Sequence, residues 1–155
     1  LKRSMYSIEH VFPRSFIKKQ DCSDMHNTFR TINELNTQRS NYRFVDIRSY
    51  CDKDKKWTEL SYGNYVNHKE KLFIPNKSSR GFIARSILYM AKQYNYKPTK
   101  IIDKHVLIDW FYEYPPNKTE KYHNEMVMKI QNRNNIFISS YNRKAKNLLK
   151  FIDKF

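Results

Sequence analysis

Apolar positions follow two different rhythms along this chain. Over residues 5 to 12, Met5, Tyr6, Ile8, Val11 and Phe12 stand close together and are stopped by Pro13, which predicts a short strand. From about residue 80 the spacing turns helical. Ile83, Ile87, Met90, Ala91 and Tyr94 make the stripe of a helix over 80–94, capped by Ser78 or Ser79. Val106, Leu107, Trp110 and Phe111 face inward on a second helix over 103–113, which Pro115-Pro116 stops. Thr119, with Tyr122, Met126, Val127 and Ile130, predicts a third that ends near Gln131. Tyr141, Ala145, Leu148, Leu149, Ile152 and Phe155 trace a fourth stripe.

The pattern between these regions is weaker. Residues 14 to 23 read as a polar connection, and Asp24 to Arg30 as either a short strand or an irregular crossing. Thr31, with Glu34 three residues on, has the capping-box spacing for a helix over 32–39, on which Asn36 and Arg39 share a face. Tyr42 to Ile47 alternates like a strand. The section from 48 to 80 reads as a long surface excursion with a charged turn at 52–56 and a packed extended piece at 72–75. The sum is an α+β chain, mostly helical around a small sheet, and 155 residues suit a single domain over 1–155.

Charge narrows the class. Thirty Lys and Arg face 15 Asp and Glu, a formal +15, and the basic residues are interleaved with Tyr, Phe and Ile rather than gathered in a bare tail. A folded domain with a positive surface takes nucleic acid as its first partner and an anionic membrane as a weaker one. Cys22 and Cys51 permit one disulfide without requiring it, and no Cys/His spacing makes a metal knuckle. No apolar run reaches transmembrane length; the start at Leu1, with no Met or signal-like segment, is expected for a trimmed or processed chain.

One stretch carries chemistry. Glu9 stands beside His10, and Asn27, Asn33, Asn36, Arg39 and Asn41 follow. A carboxylate, an imidazole and a run of amides are the kit for a hard metal ion and a general base acting on a phosphate. Taken singly, His10 reads as an ordinary surface histidine, Glu9 as a surface acid and Asn36 as a solvated helix residue.

Taken in order, the motifs resemble the bacterial endonuclease I family of the ββα-metal, or His-Me finger, nucleases. Glu9-His10-Val11-Phe12-Pro13 is similar to the family's E-H-V-[WV]-P, and Asp24-Met25-His26-Asn27 to its D-[LM]-H-N. Asn36, Arg39, Asn41 and Phe44 follow N-x-x-R-x-N-x-x-F, and Arg80-Gly81 with Ala84-Arg85 follows RGxxAR. Trp110, Pro115, Glu120, Asn124, Gln131, Asn135 and Phe137 continue the likeness, which spans most of residues 6 to 139. The chain departs in a short 13–24 segment without the cysteine-rich insertion that supplies a phosphate-contacting arginine in some members, in Arg30 for a usual proline, and in His123 for a common arginine.

The resemblance implies a largely sequence-nonspecific, metal-dependent endonuclease that cuts DNA, with RNA left open as the alternative substrate, to 5′-phosphate and 3′-hydroxyl ends. It implies His10 as the base, and Glu9 and Asn36 as ligands of one divalent cation, Mg²⁺ before Mn²⁺ or Ca²⁺. Arg39 is the first choice for the scissile phosphate, in competition with Arg80 and Arg85; Arg80, Arg85, Arg143 and Lys144 are expected along the nucleic-acid track, and Asn27 as a brace. No membrane and no obligate protein partner is expected, and the family favours a secreted or periplasmic location, with an intracellular one as alternative. The rival function is a nucleic-acid-binding protein on an inactive nuclease scaffold, which loss of Glu9, His10 or Asn36 would have favoured.

Overall fold

In the computed structural model, strand β1 (Tyr6–His10) runs antiparallel to β2 (Thr28–Ile32), and helix α1 (Asn33–Arg39) follows at once. This is the expected ββα unit. The structure describes residues 5–54 and 56–155; Lys55, inside the charged turn expected at 52–56, lies outside the described residues. Three short 3-10 turns, Arg14–Phe16, Lys19–Ser23 and Met25–Asn27, join β1 to β2, so the crossing expected at 24–30 is half turn and half strand. Thr31 does not cap α1. It is paired with Ser7 in the ladder, and Ile32 occupies the cap position without a side-chain bond.

The 48–80 section is more ordered than its pattern implied. Strands β3 (Arg43–Phe44), β4 (Trp57–Leu60), β5 (Asn64–Asn67) and β6 (Leu72–Ile74) form a second sheet in the order β3-β6-β5-β4, with β3 parallel to β6 and the other pairs antiparallel. β3 has two residues instead of six because Asp46 accepts from the Arg48 amide and starts a 3-10 turn. The buried Asn64 and Asn67 hid β5 from a hydrophobic reading. Asn64 accepts from the Asn76 amide at 2.8 Å and Asn67 from the Glu70 amide at 3.0 Å.

Helix α2 (Lys77–Tyr94) is the central element, with almost all of residues 80–91 buried. Its cap is Asn76, whose Oδ1 accepts from the Ser79 amide at 3.1 Å and from both the Ser78 and Ser79 hydroxyls, so neither serine is the cap. Helix α3 (Lys104–Glu113) buries Val106, Leu107, Trp110 and Phe111 as the spacing predicts. Helix α4 (Lys118–Gln131) is capped by Asn117 rather than Thr119, and its inward face is turned from the expected stripe. Tyr122 and Ile130 are exposed while Glu120 and Asn124 are buried, because the polar pair has partners inside: Arg85 for Glu120, Asn134 and the Asn135 amide for Asn124. A short α5 (Ile136–Ser139) and α6 (Tyr141–Ile152) complete the chain.

A continuous hydrophobic cluster runs from Val11 and Phe12 through Phe44, Val66 and Phe73 into α2 and α3, and on to Phe137, Leu148 and Ile152. Val11 and Phe12 are wholly buried one and two residues after His10. The end of β1 is thereby fixed to the core.

Candidate active site

An open cleft of ≈ 620 Å³ lies over the ββα unit, and Glu9, His10 and Asn36 all line it, with Arg14, Ser40 and Asn41 at its sides. Strand alternation alone would send Glu9 and His10 to opposite faces; at the end of β1 both nonetheless reach this one cleft.

The imidazole of His10 has a defined tautomer. Its Nε2 lies 2.9 Å from the carbonyl oxygen of Cys22, which can only accept, so Nε2 carries the proton and Nδ1 keeps its lone pair. The Cys22 carbonyl belongs to the Lys19–Ser23 turn, and that turn is held from α2's far end. The Tyr96 hydroxyl accepts from the Lys18 amide at 2.8 Å and donates to Asp21 Oδ2 at 2.5 Å. Asp24 follows as a hub: Tyr89, Tyr94 and Gln131 donate to it at 2.7, 2.6 and 2.7 Å, and the His26 amide at 3.0 Å. Burial pushes the Asp24 carboxyl up, but these donors outweigh it and hold the group below its usual range.

Asn27 braces the other side of His10. Its side chain accepts from the Phe12 amide at 2.8 Å and donates to the Phe12 carbonyl at 3.0 Å, while its own carbonyl accepts from the Val11 amide at 2.9 Å. His26 is a core residue that donates from Nε2 to the Arg133 carbonyl at 2.6 Å and packs on Tyr89; burial lowers its pKa, so it stays neutral.

The donor set suits a hard cation. The Asn36 amide nitrogen donates to Ser7 Oγ at 2.9 Å and to the Ile8 carbonyl at 3.0 Å, which leaves the amide oxygen as the group for a metal. Glu9 has one oxygen on Arg39 at 2.7 Å; burial raises its proton affinity, with Arg39 and the His10 backbone amide opposing. An amide and a carboxylate oxygen, with room for waters, are the ligands Mg²⁺ takes. Among the described residues no cluster of three or more His, Cys, Asp or Glu competes as a metal centre.

Three of the arginines expected at the phosphate or along the nucleic-acid track are directed inward. Arg39 is 1% exposed: Nε donates to the Tyr42 carbonyl, Nη1 to Glu9 and the His10 carbonyl, and Nη2 to the Val11 carbonyl, all within 3.2 Å, and its guanidinium lies over the Phe44 ring. Arg80 is buried and donates to the Pro75 carbonyl, and Arg85 is buried in a fork against both oxygens of Glu120. The family pattern marked these positions, but a motif does not distinguish an arginine that holds a substrate from one that holds the protein. Arg143 is exposed on α6 and Lys144 half-buried beside it; desolvation, then the charges of Lys92 and Arg143, lower the Lys144 pKa. Arg14, which the sequence reading passed over as part of a connection, is exposed on the cleft wall. Its position directly after Pro13 was the available signal. Cys22 and Cys51 are free thiols.

The chain is 37% identical over 120 residues to an extracellular deoxyribonuclease of Aeromonas hydrophila, covering 74% of this chain and 48% of that protein. It is 35% identical over 116 residues to a periplasmic deoxyribonuclease of the same organism, covering 74% and 46%, and 29% identical over 119 residues to endonuclease-1 of Buchnera aphidicola, covering 75% and 44%. It thus spans about half the length of these curated relatives. The family model described as endonuclease I matches residues 2–141, and the chain belongs to the endonuclease I family.

Proposed function

We propose that this chain is a metal-dependent endonuclease that hydrolyses DNA with low sequence specificity and leaves 5′-phosphate and 3′-hydroxyl ends. The observation that carries the reading is the cleft itself, where an imidazole with a free Nδ1 stands on the same wall as a carboxylate and an amide oxygen. His10 Nδ1 takes a proton from a water within about 3 Å as that water attacks phosphorus. Glu9 and Asn36 hold one Mg²⁺, which neutralises the phosphate and the leaving oxygen when bound; Mn²⁺ and Ca²⁺ share its preference for oxygen donors.

Arg14 is the guanidinium placed to meet a phosphate in the cleft, and Arg39 instead orients the Glu9-His10-Val11 backbone. Contacts of this kind grip the backbone of a nucleic acid and read no bases. The names of the Aeromonas relatives support a secreted or periplasmic setting. Among the described residues no helix is long and apolar enough to cross a membrane.

The test is cleavage of supercoiled plasmid with Mg²⁺, with EDTA and with His10→Ala, with DNA binding followed in parallel. Metal-dependent cutting that His10→Ala abolishes while binding persists supports the reading. Binding without cutting in wild-type protein, with Mg²⁺ or Mn²⁺, identifies a scaffold that has kept only its grip. A thermal shift with Mg²⁺ that Glu9→Gln or Asn36→Ala removes would locate the ion without reference to turnover.

A further inference from the structure

We propose that a second pocket, between the starts of α2 and α4, receives one unstacked nucleobase of the bound strand. This rests on the nuclease reading and adds a subsite to it. The pocket has ≈ 230 Å³ and is walled by Phe29, Phe82 and His123, with Ser78, Ser79 and Asn117 at its rim. The three rings are half-buried and meet edge to face: Phe29 and Phe82 have centroids 5.3 Å apart at 76°, and Phe82 and His123 5.5 Å apart at 75°. Phe29 and Phe82 pack against the core, and all three rings retain accessible surface.

The rim has the chemistry of a base edge. Both serine hydroxyls spend their hydrogens on Asn76 Oδ1, which leaves their oxygens as acceptors. The Asn117 oxygen is spent on the Glu120 amide, which leaves its NH₂ as a donor. Burial lowers the His123 pKa, so its ring is neutral and carries one donor and one acceptor. Glu120 lies in the wall but is locked in both oxygens by Arg85, so its charge is compensated. Lys77 and Lys118, each the first residue of its helix, are exposed. A flat ring with mixed donors and acceptors on an anionic chain fits this surface, whereas a simple aliphatic ligand would leave the rim groups unpaired.

Position links the pocket to the cleft. Phe29 is the direct cross-strand partner of Glu9, so one residue pair of the ββα unit reaches both sites. Directly opposed strand residues have Cα atoms about 4.5–5.5 Å apart, so the β1–β2 pair contributes neighbouring residues to the two sites.

The test uses His10→Ala protein in EDTA, so that nothing is cut. Affinity is measured for a single-stranded thymidine oligomer and for an abasic oligomer of equal length and charge, over a range of salt. The oligomer with bases should bind roughly 10-fold tighter. Adding Phe82→Leu or His123→Ala should bring the ratio towards one and leave the salt dependence unchanged. Equal affinity for the two oligomers, or a ratio that neither substitution moves, overturns the pocket and leaves the nuclease reading intact. Failure to bind either oligomer overturns the pocket, while the nuclease reading is decided separately by plasmid cleavage with Mg²⁺.

Discussion

His10 is aimed by the carbonyl of Cys22, 2.9 Å from its Nε2, and not by an acidic side chain. The orientation of the proposed base therefore depends on the backbone of one 3-10 turn. His10→Ala should lower kcat by about 10²–10⁴, the usual contribution of a positioned base. Tyr96→Phe deletes only the hydroxyl that bridges Lys18 and Asp21 across that turn. It should reduce kcat several-fold with KM unchanged, and long-range proton–nitrogen correlations of the His10 ring should show the Nε2–H tautomer losing population. An unchanged tautomer with unchanged kcat would mean that the turn is held without Tyr96.

Arg39 joins Glu9 to three backbone carbonyls from the centre of the ββα unit. Arg39→Met leaves a buried carboxylate alone and should cost about 3–5 kcal/mol in urea denaturation. Arg39→Lys should recover little of this, since one ammonium cannot reproduce a planar fork spread over four acceptors.

Arg14→Ala should behave differently. The side chain is exposed, so stability should be unchanged, while kcat/KM on plasmid falls and the slope of binding against salt drops by about one. A variant that cuts like wild type would remove Arg14 from the phosphate.

Gly81 is present because a neighbour is too near. A Cβ there would stand 2.3 Å from the Tyr114 carbonyl oxygen and 2.5 Å from Arg85 Nη2. The arginine is itself locked on Glu120, and a backbone oxygen does not yield cheaply. Gly81→Ala should cost at least about 1–3 kcal/mol, seen as a lower denaturation midpoint.

Acid should unfold the protein in two stages. His26 and His123 have folded pKa values pushed below the ordinary 6.5, chiefly by burial, so protons favour the unfolded chain and stability falls as pH drops below about 6.5. Asp24 is held below 3.8 despite burial; its contribution is complete above that value and is lost as pH falls through its folded pKa. Denaturation midpoints against pH should show both windows. Asp24→Asn should flatten the lower one and, by removing a charge that raises the His26 pKa, deepen the upper.

Sequence resolved what is local. β1, α1, α2, α3 and α4 were legible within a few residues because prolines and helical stripes act over short spans, and Glu9, His10 and Asn36 of the motif line one cleft. The second sheet was not legible. Its strands are short, carry buried asparagines and take partners distant in sequence, as β3 does with β6. The arginines were misread for a related reason. Whether Arg85 faces solvent depends on Glu120, 35 residues away on another helix, and the apolar stripe read on that helix did not include Glu120.

Val11 and Phe12 continue the strand that bears His10 straight into the hydrophobic cluster, and Asn27 closes its backbone bonds on the far side. This wall of the cleft is thereby tied to the core, and under the proposed nuclease reading the fit of a duplex would rest on how readily the nucleic acid bends. Stiff and pliant duplexes would be cut at unequal rates even though no base is read, a preference written in DNA mechanics alone.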